Sequence, residues 1–218
     1  MPQDHGIVDH EPSGAGVVLA STSRWRRSIL EAAGVRCATA APDVDEASIH
    51  GSGPVEVAER RALAKAQAVA RHHPGALVIG ADQVVHLDGE VIGKPASDAE
   101  WMRRLVAFRG RTHDLTTAVA LVQDGQPNDI FAVHTRVRFR ADATDEELAA
   151  YIAYGEARGC AGGYMVEQRG VWLVEAVDGD WTNVVGLPVF QLVSRLRARG
   201  FRLVADGFGR PPHGRAQP

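Results

Sequence analysis

The chain has 218 residues, 45% of them hydrophobic, and a net charge of -3. That length holds one sizeable core or two small lobes, and the near-neutral balance excludes a global basic field for nucleic acid. No apolar run approaches the roughly 20 residues of a membrane span, and only two cysteines, Cys37 and Cys160, argue against a disulfide framework and for a reduced, cytoplasmic setting.

Residues 1–15 are polar and acidic, with no basic segment leading an apolar one, and are expected to form a disordered leader rather than a signal peptide. Gly16–Ala20 reads as a short buried strand. Ser21, Thr22 and Ser23 offer N-caps for a helix from about Arg24 to Ala33, which Gly34 stops. Pro54–His73 reads as a second helix, rich in Ala and charge. Ala76–Gly80 is expected to be another buried strand, and Val84–Gly93 a separate hairpin, because Asp88-Gly89 suits a type I′ turn. Ser97–Phe108 is helical, with Ser97 and Glu100 spaced as a capping box. The runs THDLTTAVALV and IFAVHTRVRFRA form a long antiparallel pair across the turn-rich QDGQPND. Thr144–Tyr154 is a helix, GVWLVEAVDG a strand, and Pro188–Arg199 the last helix. Residues 205–218, rich in Gly, Pro and Arg, are expected to be a disordered tail. The fold class is mixed α/β over residues 16–204: a twisted, partly antiparallel sheet flanked by helices.

Local chemistry concentrates in a few stretches. Leu19–Gly34, LASTSRWRRSILEAAG, puts hydroxyl residues after a strand and before a helix N-terminus, a ready anion site. Arg24, Arg26 and Arg27 then lie at the positive end of the helix dipole, where a bound polyphosphate would offset them; plain solvated surface is the other reading. Asp82 follows an apolar strand, where a carboxylate can hold a metal, take a proton from water, or simply form a turn. Lys94 sits in a rigid Gly93-Lys94-Pro95 turn as a phosphate ligand, and the spacing is not that of a P-loop. Asp43, Asp45 and Glu46 offer paired carboxylates for Mg²⁺ or Mn²⁺, or an acidic surface loop. Lys65, on the second helix, can reach a phosphate or stand exposed. Gly162 and Gly163 allow a backbone to approach a ligand closely, or form a flexible turn. Asn183 and Gly186-Leu187-Pro188 deliver the last helix. No zinc spacing and no covalent nucleophile are present.

In order and spacing, LASTSRWRR, DVDE, KAQAVA, GADQVV, GKP, GRTHDLTTAVAL, CAGGYMVE and NVVGLP resemble the Maf family of nucleoside triphosphate pyrophosphatases, from about Val17 to Arg199. The resemblance implies an elongated α/β fold of two lobes with a nucleotide cleft between them, often in a homodimer. It also implies cytoplasmic, divalent-metal-dependent cleavage of a nucleoside triphosphate between the α- and β-phosphates; charge balance and the lack of an apolar run separately give the expectation of no nucleic acid or membrane partner. The resemblance makes Asp82 the proton acceptor, Glu46 and Asp82 the metal ligands, and Ser21, Arg26, Arg27, Lys65 and Lys94 the substrate-binding residues. Trp25, Gln83 and Glu167 depart from the commoner dTTP/UTP pattern and match a 7-methyl-GTP subgroup, as does Cys160; Arg24 stands where the family usually has Pro. A carboxylate such as Glu167 accepts the two adjacent donors of guanine and repels the carbonyls of thymine and uracil. Trp25 can stack on a cationic methylated base, or pack as an ordinary core aromatic. The alternatives are a dTTP/UTP enzyme of the same family and a nucleotide-binding regulator of division that does not catalyse.

Overall fold

The computed structural model describes residues 16–204 and 207–209. The expected leader, and residues 205–206 and 210–218 of the expected tail, lie outside the described residues. In chain order the elements are β1 (Val17–Ala20), α1 (Arg24–Ala32), β2 (Cys37–Ala40), α2 (Pro54–Ala70), β3 (Leu77–Leu87), β4 (Glu90–Ile92), α3 (Asp98–Phe108), β5 (Thr112–Val122), β6 (Asp129–Phe139), α4 (Asp145–Tyr154), β7 (Val174–Asp178), α5 (Trp181–Val185), α6 (Val189–Ala198), β8 (Arg202–Val204) and β9 (Gly207–Gly209). Among the described residues, seven strands form one mixed sheet in the order β2-β1-β3-β5-β6-β7, with β4 also on β3. The pairs β1–β2 and β1–β3 are parallel, and the others antiparallel. This is the mixed, partly antiparallel α/β fold expected.

Local chemistry explains most boundaries. Ser23 caps α1 by accepting from Arg26 N. Asp88 and Gly89 both have positive φ, as the type I′ turn between β3 and β4 requires. Thr144 and Glu147 close a full capping box at α4. The α2 helix stops at Ala70, three residues before the expected end at His73. In GVWLVEAVDG only Val174–Asp178 is strand; Arg169–Leu173 is a tight 3-10 turn, with Gly170 pressed on the Met165 backbone, where a Cβ would lie 2.5 Å from its carbonyl oxygen. Gly207–Gly209 pairs with β8, so the expected tail contributes a strand: the run Arg202-Leu203-Val204 offers it a ladder edge.

The largest departure is at β3. The expected strand Ala76–Gly80 and hairpin from Val84 are one continuous strand of 11 residues. Its ladder with β5 runs unbroken from Val78↔Val122 to His86↔Asp114. Asp82 is therefore mid-strand, opposite Ala118 and only 5% exposed, not at a surfacing strand end. The β5 pairing overrides the turn-like local composition.

Alternation along β3 separates two packing faces. Val78 and Val84 join Ala58, Ala62 and Ala66 of α2, while Ile79 and Ala81 join Leu30, Leu192 and Leu196 of α1 and α6. A second core lies beyond, where Val85 meets Trp101, Phe108, Phe139 and Tyr164 under α3 and α4. These are the two lobes, and β3, β5 and β6 run through both. Between them β3 is open on one side. The β1 ladder covers only Leu77 to Gly80, and β4 begins at Val85, so residues 81–84 have ladder partners only on the β5 side.

Candidate active site

A cleft of about 730 Å³ opens over that uncovered strand edge. It is lined by Ser21, Trp25, Arg26, Glu46, Lys65, Asp82, Gln83, Lys94 and Glu167, which come from six separate stretches of chain. Arg27, an expected substrate-binding residue, stands apart from them. It does not line the cleft, and its Nε donates to Glu31 at 2.7 Å on the exposed side of α1. Asp43 and Asp45 do not line it either; Asp45 caps the 3-10 turn Glu46–Ser48 that carries Glu46.

One end of the cleft is built for charge. Ala58, Ala62, Lys65, Ala66 and Val69 form the buried stripe of α2. Lys65 thus faces β3, at 6% exposure, rather than solvent. Its Nζ donates to Asp82 Oδ1 at 2.6 Å and lies 3.1 Å from Glu46 Oε1. Asp82 Oδ2 is buried with no hydrogen-bond partner. Burial pushes the Asp82 carboxyl above its ordinary range, against the pull of Lys65 and Arg26. Arg26 turns back over the open edge: Nε donates to Gly186 O at 2.8 Å and Nη1 to Ala81 O at 3.0 Å, with Ser21 Oγ at 3.5 Å. Protein carbonyls thus take up one of the arginines that stand against the helix dipole. Lys94 is exposed at the rim after β4.

Glu46 and Asp82 fit a divalent cation. Two carboxylates converge on one cationic point, and one buried oxygen has no partner. Mg²⁺ is commonly held by one or two carboxylates, with substrate phosphates and water completing its shell. Among the described residues no cluster of three or more His, Cys, Asp or Glu forms a full protein cage.

The other end is apolar and acidic. Trp25 is half-buried against the α3–α4 core, with the Arg24 guanidinium 4.6 Å above its ring. Glu167 is half-buried, and burial, with Glu156 nearby, raises its carboxyl above the ordinary range. Gln83 spends its amide nitrogen on Thr117 Oγ1 at 3.0 Å and Asn183 O at 2.7 Å, so only its Oε1 is left for a ligand. Asn183 is fully buried and donates to Val133 O and Thr135 Oγ1, locking α5 onto β6. The room at Gly163 is not for a ligand: a Cβ there would meet Trp101 Nε1 at 2.5 Å. Arg61 and Glu156 also line the cleft and were not among the expected residues.

The fold and this cleft define an α/β protein with a mixed cationic and carboxylate site for an anionic ligand. The model of the Maf-like protein family matches residues 16–199, and the chain belongs to that family. It is similar to a dTTP/UTP pyrophosphatase of Symbiobacterium thermophilum, at 41% identity over 88% of this chain and 98% of that protein. It is similar to a 7-methyl-GTP pyrophosphatase of Aromatoleum aromaticum, at 43% identity over 86% of this chain and 97% of that protein. Among solved structures, the Ham1 protein of Staphylococcus aureus aligns at a TM-score of 0.43 and 17% identity, over 59% of this chain and 74% of that chain. No helix of the described residues is long and apolar enough to cross a membrane.

Proposed function

We propose that the chain hydrolyses 7-methyl-GTP to the monophosphate and pyrophosphate, with water attacking the α-phosphate and Mg²⁺ or Mn²⁺ held by Glu46 and Asp82. At the coarser level it is a nucleoside triphosphate pyrophosphatase of the Maf family. The observation that carries the finer reading is that Trp25 and Glu167 share one cleft with Asp82 and Lys65. Sequence identity does not choose the base, since relatives named for each substrate stand at 41% and 43%.

The reaction needs a base, charge neutralisation and a positioned nucleotide. Lys65 holds Asp82 through Oδ1, leaving Oδ2 to accept a proton from water. The water oxygen bonds to the α-phosphorus, the bond to the bridging oxygen breaks, and pyrophosphate leaves with that electron pair. Arg26, Lys65 and Lys94 neutralise the triphosphate. The cation, when bound, supplies Lewis acidity toward phosphate oxygens. At the other end, Glu167 and the free Gln83 Oε1 are acceptors, suited to guanine's donor edge. A ring cation over Trp25 gains about 0.5–2 kcal/mol, and Arg24 must leave whichever face the base uses.

A panel of 7-methyl-GTP, GTP, dTTP, UTP and dITP, scored by pyrophosphate release with Mg²⁺ or Mn²⁺, tests the assignment. The expected result is the highest kcat/KM for 7-methyl-GTP. A preference for dTTP and UTP overturns the base assignment alone, and no turnover with any of them leaves a binding protein.

A further inference from the structure

Arg61 lies on α2 one turn before Lys65 and lines the same cleft. Its Nε is shut off from solvent without a hydrogen-bond partner, and none of the ion pairs among the described residues includes it. Its neighbour gives the contrast: Arg60 pairs with Glu56, four residues earlier, and donates to His50 O. Arg61 has Val57 four residues before it and Lys65 four after, so its own helix offers no acid and adds a like charge. The other cations of the cleft interior are held by the protein. Arg26 is on two carbonyls, Lys65 is between Asp82 and Glu46, and Arg24 is over Trp25.

We propose that Arg61 is a substrate-binding residue that takes the pyrophosphate half of the substrate, the β- and γ-phosphates. The inference rests on the pyrophosphatase reading. Lys65 is anchored at Asp82, where the α-phosphate is attacked, and residues four apart on a helix are separated by about 5–6 Å between Cβ atoms. One turn along α2 is therefore where the outer phosphates of an in-line triphosphate lie. A guanidinium suits them, because its planar fork binds two phosphate oxygens at once. A phosphate there also relieves the Arg61–Lys65 repulsion.

The test compares product inhibition in the wild type, Arg61→Ala, Arg61→Gln and Arg61→Lys, with inorganic pyrophosphate and with the nucleoside monophosphate, alongside Tm. Loss of a charge-assisted contact should raise the Ki for pyrophosphate, and the KM for the triphosphate, on the order of tenfold or more in the Ala and Gln variants. The Ki for the monophosphate should not change, and Lys should recover part of the loss. An unchanged pyrophosphate Ki in a folded variant overturns the proposal. So does an equal rise for both products with a lowered Tm, which marks a structural role. Absence of turnover in the wild type would instead sink the pyrophosphatase reading beneath it.

Discussion

Asp82 combines three features at one side chain: burial, one oxygen tied to Lys65 and one oxygen with no partner. Asp82→Asn keeps the shape and removes the proposed base. The expected outcome is a fall in kcat of about 10²–10⁴, with nucleotide affinity by titration calorimetry close to wild type. Loss of binding in step with turnover would contradict the assigned role. At the other end of the cleft, Glu167→Gln replaces an acceptor-only carboxylate with a group that also donates. The kcat/KM ratio of 7-methyl-GTP to dTTP should fall. A ratio that stays put would remove Glu167 from base selection.

The element that sets the site is α2 pressed onto β3. Gly80 makes that approach possible, since a Cβ there would lie 2.2 Å from Ala62 O and 2.9 Å from the Ala66 Cβ. Gly80→Ala should push the helix outward, lowering stability by about 1–3 kcal/mol in urea unfolding and reducing kcat by shifting Lys65 from Asp82. Unaltered stability would mean the helix gives way without cost. Much at this scale was legible from sequence. The β3–β4 turn was read from Asp88-Gly89, the α4 helix from about Thr144, and the β5–β6 pair from two β-rich runs flanking a turn-rich segment. From sequence, Lys65 stays open between a phosphate contact and solvent, although its place on the alanine stripe of α2 carried the signal for burial. The unity of β3 was not legible, because Gly80, Asp82 and Gln83 resemble a turn until β5 pairs across them. Nor was the Gln83–Asn183 tie, which joins residues 100 apart. Arg61 had a readable signal, its lack of an acid at helical spacing, and Arg27 had the opposite one in Glu31.

For the molecule as a whole, the α3–α4 lobe is closed by a buried aromatic group around His113, stacked 4.1 Å from Phe108 and bonded to Tyr164 Oη at 2.6 Å. Burial, with a smaller push from His86, lowers the His113 pKa to about 3. The folded protein keeps this ring neutral while the unfolded chain protonates it below about 6.5. Its contribution to stability is therefore full above that pH and is lost as pH falls. Between pH 6.5 and 5 the loss is about 2 kcal/mol from this group. His113→Leu should remove that part of the slope in a pH series of urea melts, whatever it does to stability at pH 7. An identical slope in the variant would place the acid sensitivity elsewhere.

In the proposed mechanism, the two lobes and the open edge of β3 bring water, Asp82 and an α-phosphate to one place. Single-turnover hydrolysis in ¹⁸O-enriched water tests this most directly. Attack on the α-phosphorus puts the label in the nucleoside monophosphate and none in the pyrophosphate. Label in the pyrophosphate would put the attack on the β-phosphorus and contradict the proposed mechanism.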